Sequence, residues 1–367
     1  MHTNNINKTY NGAIDFWKFI FCLVILIFHV GEYFGEGNFL FRWGQFSVEF
    51  FFVVSGYFMC VSAHNTEKKE AVGLGTETFG YILHKIQSIL PAYLFAFCLS
   101  WLNWFYFNGL HLLQQKGLMT FVYTNLCMMP DFFLTFMAGY EGKVIIRITW
   151  YISAMLIAML VLYPLLRRYK DTFRLIAAPL IVLILSGYFS NTTHYNGIMD
   201  YEVIMTHGVM RAFIGLSLGC ITYDFSRFLQ RYNFTVFARV LLSLVEFCGY
   251  ALLLFIMQFG KEDGAYLILF ILFFTFSVTT SKQSMTAVWF DNVCCKFLGR
   301  FSLYIYLCQS PARALVKHLY PDSSYRQGLI YIVPLTFVFA LFGWILVSLL
   351  TSFQQKRAKQ IKRLFIR

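Results

Sequence analysis

The sequence predicts an all-α polytopic bundle of about ten transmembrane helices, with both termini cytoplasmic. Three observations lead there. Of the 367 residues, 58% are hydrophobic and only 13% charged, against about 25% charged in an average soluble domain. Long apolar runs recur along the whole chain. Lysine and arginine gather in alternate connections, as cytoplasmic loops require.

A helix crosses ~30 Å of hydrocarbon in about 20 residues. Runs of that order lie near 14–34, 43–63, 81–107, 118–137, 148–166, 172–190, 205–223, 237–259, 264–281, 301–320 and 328–352. Lys8 precedes the first run, and Lys68 and Lys69 follow the second. Arg167, Arg168, Lys170 and Arg174 surround the connection from 166 to 172. Arg227, Arg231 and Arg239 follow the run at 205–223, and Lys282, Lys296 and Arg300 follow 264–281. If all eleven runs crossed, the clusters at 167–174 and 227–239 would fall outside. Removing one crossing between 108 and 147 repairs every later loop. The run at 118–137 is therefore expected to be an outer-surface or re-entrant element, interrupted at Met128–Asp131 by a proline and a charge. This leaves Lys116, Lys143 and Arg147 outside.

The polar N-terminus is followed by no small-residue cleavage site, so the first run is expected to be retained. Residues 1–367 read as a single membrane domain, with spans over roughly 14–352 and a short basic tail at 353–367. GLGTETFG (Gly73–Gly80) reads as a flexible linker, since no strand precedes it to form a phosphate loop. The nine cysteines contain no CxxC pair and read as small buried hydrophobes. The net charge of +12 is explained by the basic loops, so no nucleic-acid partner is expected and membrane lipid is the surrounding phase.

Ionisable groups inside such runs are costly and mark interior surfaces. In IDFWKFIFCLVILIFHV (residues 14–30), Lys18 and His29 are eleven residues apart. At ~100° per residue they share a face, and Asp15 and Glu32 lie within about 40° of it. One helix therefore carries a polar stripe from its cytoplasmic end toward the outer half. Interfacial snorkelling or a local ion pair would also account for Lys18 and Asp15, and a helix–helix hydrogen bond for His29. The alternative is a path through the bundle, with histidine as the group that exchanges a proton near neutrality and Lys18 meeting phosphates.

Glu49, in GQFSVEFFFVVSGYFM (residues 44–59), sits among phenylalanines with no adjacent cation and must be paired or protonated. Ser55 and Gly56 permit close helix approach. His84 and Lys85 precede Pro91 near a cytoplasmic end, where cations also anchor helices. Trp150 and Tyr151 begin a span, as interfacial aromatics do. His207 and Arg211 are four apart and share a face; Glu202 or Glu49 would pair such an arginine. No HExxH motif or cysteine cluster suggests a metal.

These stretches resemble the acyltransferase-3 family of integral-membrane acyltransferases that modify bacterial surface polysaccharides. IDFWKFIFCLVILIFH resembles the family's first helix, which ends in a histidine preceded eleven positions earlier by an arginine. GQFSVEFFFVVSGYFM resembles its Phe-Phe-x-x-Ser-Gly signature, and HKIQSILPAY its basic third-helix start. WYISAML, RAFIGLSLG and LGRFSLYIYL resemble softer motifs. The resemblance implies an O-acetyltransferase-type enzyme of the bacterial cytoplasmic membrane. It would use cytosolic acyl-CoA, expected to be acetyl-CoA, as donor substrate, with no permanently bound cofactor. The acceptor would be a hydroxyl of an extracytoplasmic polysaccharide or lipid-linked sugar. His29 would be the base or transient acyl carrier, with Glu49 beside it in the catalytic set. Lys18, Lys85 and Asp15 would bind the donor. Ser55, Trp150, Tyr151 and Arg211 would shape the acceptor pocket. A second copy of the chain or a glycan-assembly protein would be a compatible partner. Lys18 replaces the family's arginine, which some branches accept, and Gln309 stands where many members have histidine. The chain ends at Arg367 without the esterase-like domain that some members append, so it is expected to acylate its acceptor unaided or through a partner. A polysaccharide or lipid-linked sugar transporter or polymerase is the other class that such a bundle fits.

Overall fold

The structure, a computed structural model, describes residues 11–35, 39–66, 73–128, 146–192, 201–202, 205–260 and 265–365. The helices are α1 (Gly12–Phe34), α2 (Ser47–Thr66), α3 (Leu74–Trp104), α4 (Leu110–Met128), α5 (Trp150–Arg168), α6 (Lys170–Thr172) and α7 (Ala178–Thr192), then α8 (His207–Leu229), α9 (Val236–Phe259), α10 (Ala265–Ser281), α11 (Thr286–Trp289), α12 (Val293–Leu319) and α13 (Tyr325–Phe365). Two-residue strands, Tyr201–Glu202 and Met205–Thr206, pair antiparallel just before α8. Local signals start several helices. Asn11 caps α1 through Ala13 N, Thr235 caps α9 through Ala238 N, and Asn292 caps α12 through Cys295 N.

Among the described residues, seven helical stretches are long and apolar enough to cross a membrane: Gly12–Phe34, Gly44–Thr66, Leu74–Thr120, Arg147–Arg168, Lys170–Phe189, Val236–Phe259 and Tyr325–Gln354. α10 is apolar but has 17 residues. α8 and α12 have 23 and 27 residues but carry more polar groups. α8 buries most of its length in the bundle, so its polar positions meet protein rather than lipid.

The run expected at 118–137 is α4 as far as Met128; residues 129–137 lie outside the described residues. α4 kinks at Gly117, whose φ of 76° is a glycine conformation, and Leu118 and Met119 beyond the kink are exposed. The linker reading of Gly73–Gly80 is corrected. Residues from Leu74 onward are the first turns of α3, held there because Glu77 accepts from both Tyr163 and Arg167 of α5.

Side-chain contacts fix the helix directions. α1 and α12 run parallel: Asp15 lies at Gly299, and Cys22 Sγ donates to Ser302 O at 3.1 Å. α2 and α5 are also parallel, with Phe52 against Trp150 at one end and Arg167 Nη1 on Ala63 O at the other. α3 and α5 are antiparallel, Tyr81 stacking on Tyr163 at 4.1 Å while Glu77 meets Arg167. Thus α3 ends and α5 begins at the same end of the bundle.

The α2–α8 seam is close-packed. A Cβ added at Gly56 would come within 2.1 Å of Leu216 O, and one at Gly219 within 2.3 Å of Val53 O. Gly215 and Gly219 are spaced as small-xxx-small residues, which let backbones approach closely. The close approach expected at Gly56 is therefore realised.

Candidate active site

The polar stripe on α1 is real and divides in two. At its lower end Lys18 Nζ donates to Asp15 Oδ1 at 2.9 Å, both side chains being partly exposed. Asp15 fits there because Gly299 has no side chain: a Cβ at Gly299 would be 2.2 Å from the carboxyl group. At the upper end His29 Nδ1 lies 2.6 Å from Glu32 Oε2. If Nδ1–H donates to this carboxylate, Nε2 becomes the basic position of the ring.

Between these ends lies a cavity of about 630 Å³ where α1, α2, α3, α5, α12 and α13 converge. Lys18, Lys85 and Arg300 contribute three cations to its wall. Ser55, Tyr151, Tyr306 and Ser302 supply hydroxyls, and Ile25, Phe51, Met155, Leu303 and Trp344 supply apolar surface. Ser55 Oγ and the Tyr151 hydroxyl are 3.4 Å apart. Tyr306 donates to Ile148 O, tying α12 to the start of α5. Lys85 Nζ also lies 5.8 Å from the centre of the Tyr81 ring. Four expected site residues therefore meet on one surface: Lys18, Ser55, Lys85 and Tyr151.

Others do not line it. Asp15 is not on the wall but touches two wall residues, Lys18 and Gly299. Glu49 and Arg211 form a pair of their own, with Nε and Nη2 both 2.7 Å from Oε1 and exposures of 1% and 0%. Trp150 covers this pair, its ring centre 5.2 Å from the guanidinium carbon. The cation that Glu49 lacks in its own segment is thus Arg211, 162 positions later. None of the three lines the cavity, although their chain neighbours Val48 and Tyr151 do.

His29 also lies off the wall. It is one turn beyond Ile25, a wall residue, on the same face of α1. Near it stands Arg313, packed 4.8 Å from the Tyr33 ring centre. Arg300 and Tyr306 are wall residues that sequence reasoning missed. Both lie in the LGRFSLYIYL motif, but an arginine at a basic helix start reads as a topology signal. No group of three metal-ligating side chains occurs among the described residues.

A family model for an acyltransferase domain, Acyl_transf_3, matches residues 11–352. The chain belongs to the acyltransferase-3 family. It is a multi-helix membrane acyltransferase, and the match takes in every helix that lines the cavity. No curated protein and no solved structure is significantly similar to it.

Proposed function

We propose that this acyltransferase moves an acetyl or similar acyl group from cytosolic acyl-CoA to a sugar hydroxyl on the outer side of the bacterial cytoplasmic membrane. The observation that carries the reading is the three-cation cavity at the centre of an acyltransferase fold. Lys18, Lys85 and Arg300 suit the phosphates of coenzyme A, which a cluster of cations attracts as point charges and, through arginine, bidentately. The apolar stretch from Leu303 and Trp344 to Ile25 suits the pantetheine arm. Ten crossings with both termini cytoplasmic accord with the basic loops and with antiparallel α3 and α5. In that orientation the cations face the cytoplasm and His29 lies toward the outer half.

The thioester then has to reach about 6 Å beyond Ile25, one helical turn, to meet His29. His29 acts as the base, because its Nδ1 contact with Glu32 holds the ring in the orientation that an acid–base histidine needs. The acceptor hydroxyl gives its proton to Nε2 as its oxygen attacks the thioester carbonyl. The C–S bond breaks, and the thiolate takes the proton back, releasing coenzyme A as the thiol. Glu49, Arg211 and Trp150 lie off the cavity wall and do not touch the reactants.

The test uses inverted membrane vesicles that contain the glycan or its lipid-linked precursor, supplied with labelled acetyl-CoA. Wild type should label the glycan, His29→Ala should not, and Lys18→Ala should need more donor. Equal labelling by wild type and well-expressed His29→Ala would remove His29 from the chemistry.

A further inference from the structure

A second recess lies away from the cavity, at the end of the bundle where α1 stops. It is a groove of about 560 Å³ lined by Phe39, Leu40, Gln258, Tyr325, Arg326 and Leu329. It adjoins the His29 end of α1. The Phe28 and Phe39 rings are 6.3 Å apart, and Gly328 packs against Val30 and Phe34.

Its lining combines aromatic, amide and cationic groups. Phe39 and Tyr325 present two rings 6.2 Å apart and inclined at 53°. Arg326 is exposed and makes no ion pair or hydrogen bond among the described residues. The loop carrying Phe39 and Leu40 is pinned from two sides. Leu40 N donates to the Tyr325 hydroxyl at 3.1 Å, Phe41 N to Gln258 Oε1 at 2.6 Å, and Trp43 N to Met257 O at 2.8 Å. Phe41 itself is held at φ 53°, a left-handed conformation that a bulky side chain rarely adopts. Such strain persists only where the surroundings over-determine it, and it concentrates at ligand sites.

We infer that this groove binds an acidic sugar, one bearing a carboxylate, of the glycan acceptor. Aromatic rings take the apolar faces of a pyranose, the Gln258 amide takes hydroxyls, and the Arg326 guanidinium takes a carboxylate bidentately. The role as acceptor site rests on the acyl-transfer reading above; the binding itself does not.

The test measures binding to the full chain in nanodiscs at low salt. The probes are tetragalacturonate, neutral maltotetraose and coenzyme A. Tetragalacturonate should bind wild type about tenfold tighter than maltotetraose, and Arg326→Gln should remove about that tenfold advantage. Arg326→Lys should restore part of it, and coenzyme A binding should be unchanged in both variants. Tyr325→Phe, which keeps the ring and loses only the contact with Leu40 N, should still favour the acidic probe. Equal binding of the two sugars by wild type, or no loss in Arg326→Gln, overturns the groove even if acyl transfer is intact. Absent coenzyme A binding with the sugar preference intact would strike the donor reading and leave the groove supported.

Discussion

Two polar regions of this molecule stand on different helices of the same bundle and differ in kind. On the α2–α8 seam, Glu49 and Arg211 are sealed from solvent and bonded to each other under Trp150. In the neighbouring cavity, Lys18, Lys85 and Arg300 line open space. Lys18 has a carboxylate partner at 2.9 Å and still borders the void. A buried pair bonded to itself specifies packing. Cations gathered around open space are, on the proposed reading, a binding surface for the donor. Residue type alone does not separate the two; what each charge faces does.

The comparison breaks most completely at the seam. Gly56→Leu should abolish the folded protein, because a Cβ there already meets the Leu216 backbone at 2.1 to 2.7 Å and backbone cannot swing aside. Fluorescence-detected size-exclusion of detergent extracts would show it, with Ser55→Ala next door remaining monodisperse. A normal elution profile for Gly56→Leu would mean that the seam is looser than its geometry implies.

Next in size is the buried pair. Arg211→Ala or Glu49→Ala strands one charge, a change that costs about 3–5 kcal/mol in proteins. The double variant Arg211→Met/Glu49→Leu should recover much of that loss, because no charge is left unpaired. Thermal unfolding in detergent reads both. If the double variant were as unstable as the singles yet coenzyme A still bound, shape rather than charge would be what the pair contributes.

The cavity cations should behave in the opposite way. Lys85→Ala and Arg300→Ala should leave the unfolding temperature near that of wild type and raise the donor KM by about tenfold, the factor that corresponds to ~1.4 kcal/mol. Raising ionic strength should weaken donor binding in wild type more than in either variant, since partly exposed cations are screened. A fall in stability without a change in KM would move these residues into the same structural class as Glu49 and Arg211.

Much of this division was hidden at the level of sequence. Helix positions were legible because ~20-residue apolar runs leave few options. The stripe on α1 was legible because Asp15, Lys18, His29 and Glu32 obey one period within one helix. The partner of Arg211 was legible only as a choice between Glu202 and Glu49, because Glu49 is 162 positions away and only the glycine seam brings the two together. Arg300 was obscured for a different reason: one residue can both anchor a helix and line a cavity. Gly73–Gly80 misled through composition, since its glycines suggested a linker while Glu77 supplied the tertiary bonds that make it helix.

The smallest expected effect is also the sharpest discriminator for the donor end. Lys18 stands where the family's arginine is expected, and it spends one donor on Asp15. Lys18→Arg keeps the charge and adds a planar fork that can hold Asp15 and a phosphate together. If the cavity recognises phosphate as a point charge summed over three cations, the donor KM should change by less than about threefold. If geometry at this position matters, the arginine should bind donor more tightly, and the gain should vanish in Lys18→Arg/Asp15→Asn, where the carboxylate that orients the fork is gone. Titration of coenzyme A into the three proteins separates these outcomes without reliance on knowledge of the acceptor.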